Sequence, residues 1–239
     1  MVNPFCKLAV AAALICCGKA AFALGISPVL VELTPGKPVA TVTIGNNSDA
    51  SIVYQAESLV WRQIDGRDRY EETDDLVVVP PIAEVAAGGS QIFRVALRRP
   101  AAVQAERAYR LVLDNITEEK RPEEAKQSNV LFRISHNLPV FVASAGVPRV
   151  QPRMAPCAPP QGKACVRLDN DGNRRIKITG LVVEGGSDVR HDMKVLDIVL
   201  AGAWKQWTFD RPAGYAGTLT VHAETSAGPL TVVLPPPPR

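Results

Sequence analysis

Cys157 and Cys165 are the residues whose type and spacing most directly predict a chemical bond. The other three cysteines, Cys6, Cys16 and Cys17, lie near the N-terminus, which leaves these two as an even pair. A loop with two prolines and a glycine separates them, so a disulfide between neighbouring strands is expected in an oxidising compartment. Metal binding is the weaker alternative, because neither cysteine has a histidine or a second cysteine at ligand spacing.

Other reactive residue types are not grouped into a catalytic or metal-binding pattern. His136, His191 and His222 are isolated, and the chain has no Gly-x-Ser-x-Gly or His-Glu-x-x-His motif. Asp169–Asn173 (DNDGN) looks like the start of a calcium loop, but its glycine comes at the fourth position and no glutamate follows at the twelfth. A hairpin turn is therefore favoured there. We expect no catalytic residues, no metal and no cofactor.

Residues 1–23 have the composition of an export signal. Lys7 precedes the apolar run Leu8–Cys17, and the segment finishes at Ala21–Ala23, a small-x-small cleavage pattern. The run is far shorter than the roughly 20 residues of a membrane span, so no membrane insertion is expected. Cleavage would remove Lys7 and Lys19 from the 27 basic residues and leave a net charge of +1. Near-neutrality gives no reason to expect a nucleic-acid partner.

The segment Asn129–Ala143 (NVLFRISHNLPVFVA) is typical of a long edge strand. Val130, Phe132 and Ile134 fall on one face, with Arg133 and Ser135 on the other, and His136 could end this row. An exposed apolar strand is an aggregation hazard that most proteins blunt. Donation of the strand to a partner's sheet is a function that such a segment could serve. The alternative is that the apolar side chains pack inside their own domain.

Strand signals dominate the rest of the chain. The first series contains seven strands separated by turn residues, the number that an immunoglobulin-like sandwich requires: Ile26–Leu33, Val39–Ile44, Ile52–Arg62, Leu76–Val79, Gln91–Leu97, Tyr109–Ile116 and Asn129–Val142. Ser144–Pro148 is a natural linker. A second series follows it: Cys165–Leu168, Arg175–Val183, Val195–Leu200, Trp204–Phe209, Gly217–Glu224 and Leu230–Leu234. The expected fold is all-β, with one immunoglobulin-like domain at 24–146 and a second at 147–239.

Four segments resemble, in order and spacing, the periplasmic chaperones of the chaperone-usher pathway: Ile26–Gly36, Asp74–Pro100, Glu106–Ile116 and Asn129–Val142. The resemblance is greatest to the archaic branch, in which the last strand of the first domain ends in a Leu-Pro-Val-Phe-Val type sequence. It covers nearly all of residues 24–146, and the second domain only by size and strand content.

This resemblance implies a boomerang of two immunoglobulin-like domains that binds pilus subunits in its cleft. Those subunits lack their final strand, and the chaperone lends its own strand until an outer-membrane usher exchanges it. An open groove exposes core residues and unpaired backbone groups, and a lent strand covers both. The function implied is that of a periplasmic chaperone that needs no ATP.

The resemblance also exposes a departure at the subunit anchor. The conventional branch clamps the subunit's terminal carboxylate with an arginine on the first strand and a lysine on the last strand of domain one. Here Ile26–Leu33 has no basic residue, and Pro139 stands where the lysine would lie. Arg94 and Arg110 interrupt apolar alternation and are the candidate replacements. Arg94 is preferred because the apolar residues on either side should fix its strand. The alternative for each is a solvated face paired with a nearby acid.

Two other classes of function are compatible with a strand-rich exported chain. A secreted hydrolase would need a nucleophile and a base brought together by the fold. An adhesive or structural sandwich module, including a pilus subunit, is the stronger alternative. A subunit should carry an extended N-terminal donor segment, whereas the predicted mature N-terminus enters a strand within a few residues.

Overall fold

The computed structural model describes residues 25–100, 102–117, 134–160, 162–186, 189–211 and 215–236. The first part of the chain forms β1 (Ile26–Ser27), β2 (Val31–Leu33), β3 (Val39–Gly45), β4 (Ile52–Ile64), β5 (Arg67–Glu72), β6 (Leu76–Val79), β7 (Ile82–Val85), β8 (Ser90–Leu97), β9 (Arg107–Asn115) and β10 (Ser135–Val142). The second part forms β11 (Pro152–Pro156), β12 (Lys163–Asn170), β13 (Ile176–Gly185), β14 (Val189–Met193), β15 (Asp197–Val199), β16 (Trp204–Asp210), β17 (Leu219–Thr225) and β18 (Leu230–Leu234).

The first ten strands build two sheets that enclose one core. One sheet has the order β1-β3-β8-β6, and the other has the order β2-β10-β9-β4-β5 with β7 also paired to β4. Alternate side chains of each strand point between the sheets, as the period of two predicts. The fully or almost fully buried core side chains include Val42, Ile44, Phe93 and Val95 from one sheet, and Tyr54, Tyr109, Leu111, Leu113 and Val140 from the other.

The last eight strands build a second sandwich with its own core. Its sheets have the orders β11-β12-β16 and β14-β13-β17-β18, with β15 paired to β13. The buried core side chains include Val166, Leu168, Ile176, Ile178, Leu181, Val183, Leu219 and Val221. The expected all-β fold of two sandwich domains is therefore confirmed.

The predicted disulfide is present in the second sandwich. Cys157 follows β11 and Cys165 lies in β12, with the two Cα atoms 5.1 Å apart. The amide of Cys157 also donates to the carbonyl of Cys165 at 3.2 Å. The bond therefore ties two neighbouring antiparallel strands, as the cysteine spacing indicated.

Two local predictions need correction. Ile26–Leu33 is not one strand, because β1 pairs with β3 in one sheet and β2 pairs with β10 in the other. Asp169–Asn173 is not a hairpin, because it leads from β12 in one sheet to β13 in the opposite sheet. Asn170 stabilises this crossing, since its buried side-chain amide donates to the carbonyls of Arg174, Val199 and Leu200 at 2.8–3.2 Å.

Candidate functional site

The candidate site is the sheet that contains β10. This strand pairs antiparallel with β9 along its full length, from Ser135 to Val142. On its other side, among the described residues, only β2 pairs with it, and only at Val140–Val142. The stretch Ser135–Pro139 is therefore an open edge on that side within the described part of the chain.

The hydrogen-bonding direction along β10 shows which groups face this edge. The amide of Asn115 on β9 donates to the carbonyl of Ile134 at 3.2 Å. Because backbone groups alternate in direction along an antiparallel pair, the even-numbered residues of β10 point their N–H and C=O groups at β9. The odd-numbered residues, Ser135, Asn137 and Pro139, point theirs at the open edge.

The structure describes two of the four residues predicted to form the donated row. Ile134 is 51% exposed. His136 is half-buried, with its ring centroid 6.1 Å from that of Tyr54, and burial lowers the pKa of His136. Its Nε2 atom is buried and has no hydrogen-bond partner among the described residues. Val130 and Phe132 lie outside the described residues, and the role of all four in binding stays a prediction.

Arg110 lies on the outer face of the same sheet, level with Pro139 in the β9–β10 register. Its guanidinium carbon stands 3.9 Å from the ring centroid of Trp61 and 5.7 Å from that of Tyr70, so two aromatic rings position the cation. Its Nε atom is buried and unpaired within the described chain. The arrangement presents a cation fixed between aromatic rings, which is chemistry suited to a carboxylate.

Arg94 lies elsewhere. It is exposed on β8, and the buried Phe93 and Val95 on either side do fix its strand as expected. Those two side chains point into the core, so Arg94 points out of the other sheet, opposite Thr41. The structure thus places Arg94 and Arg110 on opposite outer faces of the first sandwich. This placement favours Arg110 as the anchor over Arg94, which the sequence had favoured. The anchoring role itself stays a prediction.

At the other end of the same sheet, apolar side chains join the two sandwiches. Trp61 on β4, Ala108 on β9 and Phe141 on β10 form a buried cluster with Leu200 of the second sandwich. Trp61 and Phe141 are in ring contact, with centroids 5.9 Å apart. The outer face of the β10 sheet therefore faces the second domain.

The hairpin formed by β4 and β5 extends this contact with polar groups. The Gln63 side chain donates to the carbonyl of Ile198 at 2.7 Å and accepts from the amide of Leu200 at 2.9 Å. Lys205 donates to Asp68 at 3.0 Å and to Asp197 at 2.6 Å, so one ammonium joins carboxylates of both domains.

The pKa directions agree with a charged interdomain network. Burial alone would raise the pKa of Asp68, but hydrogen bonds from Gln63 and Trp61, together with Lys205, lower it. Burial alone would lower the pKa of Lys205, but Asp197 and Asp68 raise it. Both groups therefore stay ionised across neutral pH.

A second ionic group closes the interface beside β2. Arg175 contacts Glu106 and Glu32, and its guanidinium carbon stands 3.8 Å from the ring centroid of Phe141. The Glu106 side chain is 5% exposed, and burial raises the pKa of Glu106 even though Arg175 opposes the shift. These interdomain residues were not predicted from the sequence. A charged residue next to a turn looks the same in the sequence whether its side chain faces solvent or contacts the other domain.

The three histidines lie on separate strands of the described structure. His136, His191 and His222 lie on β10, β14 and β17. No group of three or more His, Cys, Asp or Glu side chains in the described ranges is placed to hold a metal ion. No helix in the described part of the chain has the length and hydrophobicity that a membrane span requires.

Comparison with family models identifies the chain. Residues 23–148, more than half of it, match the model of the pili and flagellar-assembly chaperone family, PapD N-terminal domain. The chain belongs to this family. A comparison with curated proteins found no match.

Solved structures share the fold of this chaperone over most of its length. A chain of the CsuC-CsuE chaperone-tip adhesion subunit pre-assembly complex, from archaic chaperone-usher Csu pili of Acinetobacter baumannii, has a TM-score of 0.65 at 17% identity and covers 89% of this chain and 98% of its own. A chain of the Salmonella enterica SafA pilin–SafB chaperone complex has a TM-score of 0.61 at 16% identity, with 89% and 97% covered. The YadV chaperone has a TM-score of 0.60 at 12% identity, with 89% and 100% covered. At these identities the likeness supports the two-domain fold.

Proposed function

We propose that this protein is a periplasmic, ATP-independent chaperone of the archaic branch that lends β10 and the residues before it to pilus subunits lacking a final strand, and that it delivers them to an outer-membrane usher. The family assignment supports assembly of pili as the process. The open edge at Ser135–Pro139 is the observation that carries the strand donation. Backbone donors and acceptors at a sheet edge pair readily with an added strand.

The proposed row of inserted side chains is Val130, Phe132, Ile134 and His136. Ile134 supports it, because a large apolar side chain that is 51% exposed beside an open edge has surface left to bury. Phe132 should contribute most, since it offers the largest apolar area in the row. Burial of one such side chain contributes roughly 2–3 kcal/mol.

The proposed anchor for the subunit's terminal carboxylate is Arg110. Its contacts with the rings of Trp61 and Tyr70 fix the guanidinium on the outer face of the sheet, level with Pro139. A hydrogen bond to a charged group contributes about 1.5–3 kcal/mol, which corresponds to roughly one to two orders of magnitude in affinity.

The decisive experiment is periplasmic co-expression of the protein with candidate pilus subunits, followed by isolation of a stoichiometric complex. Phe132→Asp should abolish capture and leave the free chaperone folded. A Phe132→Asp variant that unfolds on its own would show instead that Phe132 belongs to the core of the first domain.

Arg110 can be tested against a matched arginine. Arg110→Ala should weaken capture by about one to two orders of magnitude, whereas Arg94→Ala, on the opposite outer face, should leave capture unchanged. Loss of capture with Arg94→Ala alone would restore the original sequence preference. Normal capture by both variants would show that the chaperone holds its subunits without this arginine clamp.

A further inference from the structure

Pro139 lies where β10 changes from an edge strand to an internal strand. Val140–Val142 are flanked by β2 and β9, whereas Ser135–Pro139 pair with β9 alone among the described strands. A proline inside a strand is confined to positions where its missing N–H is not needed by a ladder partner. The transition therefore coincides with the one residue of β10 that has no backbone donor.

The parallel ladder between β10 and β2 shows what that missing donor would have done. Ala143 donates its amide to the carbonyl of Leu33 at 2.9 Å. In the register that pairs Phe141 with Glu32, the amide of Phe141 points in the same way at the carbonyl of Val31. Two residues earlier, position 139 would face the carbonyl of Val29, and Pro139 has no hydrogen to donate.

The segment that precedes β2 does not lie along β10. Val29 and Leu30 are 65% and 37% exposed, and the preceding strand β1 pairs with β3 in the opposite sheet. The chain therefore crosses between the sheets instead of continuing along β10. The edge that it vacates is the open edge of the candidate site.

We propose that Pro139 is the positioning residue of this edge. It ends the pairing of β2 with β10 and fixes the point at which an incoming strand must stop. The inference rests on the proposed function, because the occupant is the terminal strand of a pilus subunit. That strand takes the place that β2 leaves free and runs parallel to β10, as β2 does. It ends opposite Pro139, because β2 occupies the edge from Val140 onward.

The position of Arg110 agrees with this stop. Arg110 is the register partner of Pro139 on β9, so the cation and the end of the open edge lie at the same level of the sheet. A strand that stops there brings its terminal carboxylate to the level of the guanidinium. The backbone stop and the cation would then select the same register for the subunit.

The first test uses the free chaperone and needs no subunit. Pro139→Ala restores the amide at position 139. Residue-resolved hydrogen exchange should show this new amide exchanging at least about tenfold more slowly than that of Asn137 in the same variant. The reason is that β2 can now extend along β10, with the new amide donating to the carbonyl of Val29. Equal exchange at the two positions would overturn the proposal, since proline would then only protect the edge from aggregation, a common role for proline at sheet edges.

A transposed variant keeps the number of prolines. Asn137→Pro combined with Pro139→Ala moves the stop by two residues toward the N-terminus. Its open edge should be shorter by one backbone donor, and slow exchange should appear at position 139 as in the single variant. Fast exchange of the position-139 amide in this variant would contradict the proposal independently, provided circular dichroism shows that the variant is folded.

The second test uses the subunit that co-purifies with the unaltered chaperone. In the complex, the amides of Ser135 and Asn137 should become protected in the unaltered protein, and the transposed variant should capture at least about tenfold less subunit. Equal capture, with the same edge protected, would overturn the role of Pro139 while leaving strand donation in place. If the unaltered chaperone captures no subunit, strand donation fails, and the exchange rate of the amide that Pro139→Ala restores still decides whether Pro139 ends the ladder.

Discussion

The two ends of the β10 sheet differ in how completely their chemical groups are satisfied. At the interdomain end, Phe141 is fully buried, and both ends of the Gln63 amide have partners in the second domain. At the open end, Ile134 is 51% exposed. Two buried side-chain atoms lack partners among the described residues, Nε of Arg110 and Nε2 of His136. His136 lies within the open stretch of β10, and Arg110 is level with the end of that stretch at Pro139.

Buried unpaired polar atoms are costly, so native structures keep few of them. Their occurrence beside one strand edge, without partners in the described part of the chain, supports the proposal that a bound subunit completes this region. At the interdomain end, Gln63 and Phe141 already have their partners within the described residues. Variants at the interdomain end should therefore change stability, and variants at the open end should change capture.

The largest expected effect comes from Phe141→Ala. Phe141 has no exposed surface and contacts the Trp61 ring and the Arg175 guanidinium. Truncation leaves a cavity between the two domains and should lower the free energy of unfolding by about 3–5 kcal/mol, as measured by urea titration. Ile134→Ala is the matched apolar truncation on the open side and should cost less than about 1 kcal/mol. Similar losses for the two variants would erase the proposed difference between the ends.

A smaller effect is expected at the tip of the β4–β5 hairpin. Gly66 has φ +73°, and a Cβ atom built there would lie 2.5 Å from Cζ3 of Trp204 in the second domain. Gly66→Ala should cost roughly 2–3 kcal/mol, because backbone strain adds to an overpacked contact.

Gly88→Ala isolates the backbone part of this cost. Gly88 has a similar φ of +67°, but nothing lies within 4 Å of its added Cβ atom. The expected loss is about 1 kcal/mol in a thermal or urea unfolding experiment. If Gly66→Ala proves no more destabilising than Gly88→Ala, the tip of the hairpin does not contact the second domain in solution.

The third prediction concerns Lys205→Met, which leaves Asp68 and Asp197 without their cation. A fully buried pair would lose about 3–5 kcal/mol on removal of one partner. Because Asp68 and Asp197 keep 30% and 26% of their side-chain surface exposed, the loss should be about 1–2 kcal/mol. Lys163→Met, which removes an exposed pair with Asp210, should change stability by less than about 0.5 kcal/mol.

The contribution of Lys205 should also depend on pH at both extremes. The folded-state pKa of Asp68 is lowered from 3.8, so its share of the stability is complete above about pH 4 and is lost as the pH falls through the lowered value. The folded-state pKa of Lys205 is raised from 10.5, so its share is complete below about pH 10.5 and is lost above the raised value. Urea titrations of the unaltered protein and Lys205→Met should converge at both extremes. A constant difference from about pH 2 to about pH 12 would contradict this.

The fold could be predicted from the sequence because the alternation of apolar and polar residues along a strand is visible without knowing which strands it pairs with. Phe93 and Val95 on β8, and Leu111 and Leu113 on β9, are buried as a period of two requires. The strand β5 (Arg67–Glu72) was not predicted, because its side chains are charged except Tyr70 and its stability comes from pairing with β4.

The candidate site was less predictable for a related reason. Arg94 and Arg110 interrupt their strands in the same way, and a strand pattern shows which residues share a face but not which sheet the strand joins. Only the sheet order places Arg110 beside Pro139 and Arg94 on the opposite outer face. The proposed role of Pro139 likewise depends on the register of β2, whose pairing with β10 begins one residue later, at Val140.

The smallest expected effect concerns His136 at the open end. Burial lowers the folded-state pKa of His136 from 6.5, so the unfolded chain takes up the proton first as the pH falls. Stability should therefore be complete above about pH 7 and should decline as the pH falls from about 7 toward 5, by no more than about 1 kcal/mol. The ring packs against Tyr54, whose raised pKa keeps it neutral in this range, so Tyr54 does not contribute to the decline. His136→Phe keeps an aromatic ring in this place and removes the titration, so its unfolding free energy should fall less over the same pH range than that of the unaltered protein. Equal declines would assign the effect to other groups, and the open end of β10 would then be no more sensitive to acid than the rest of the molecule.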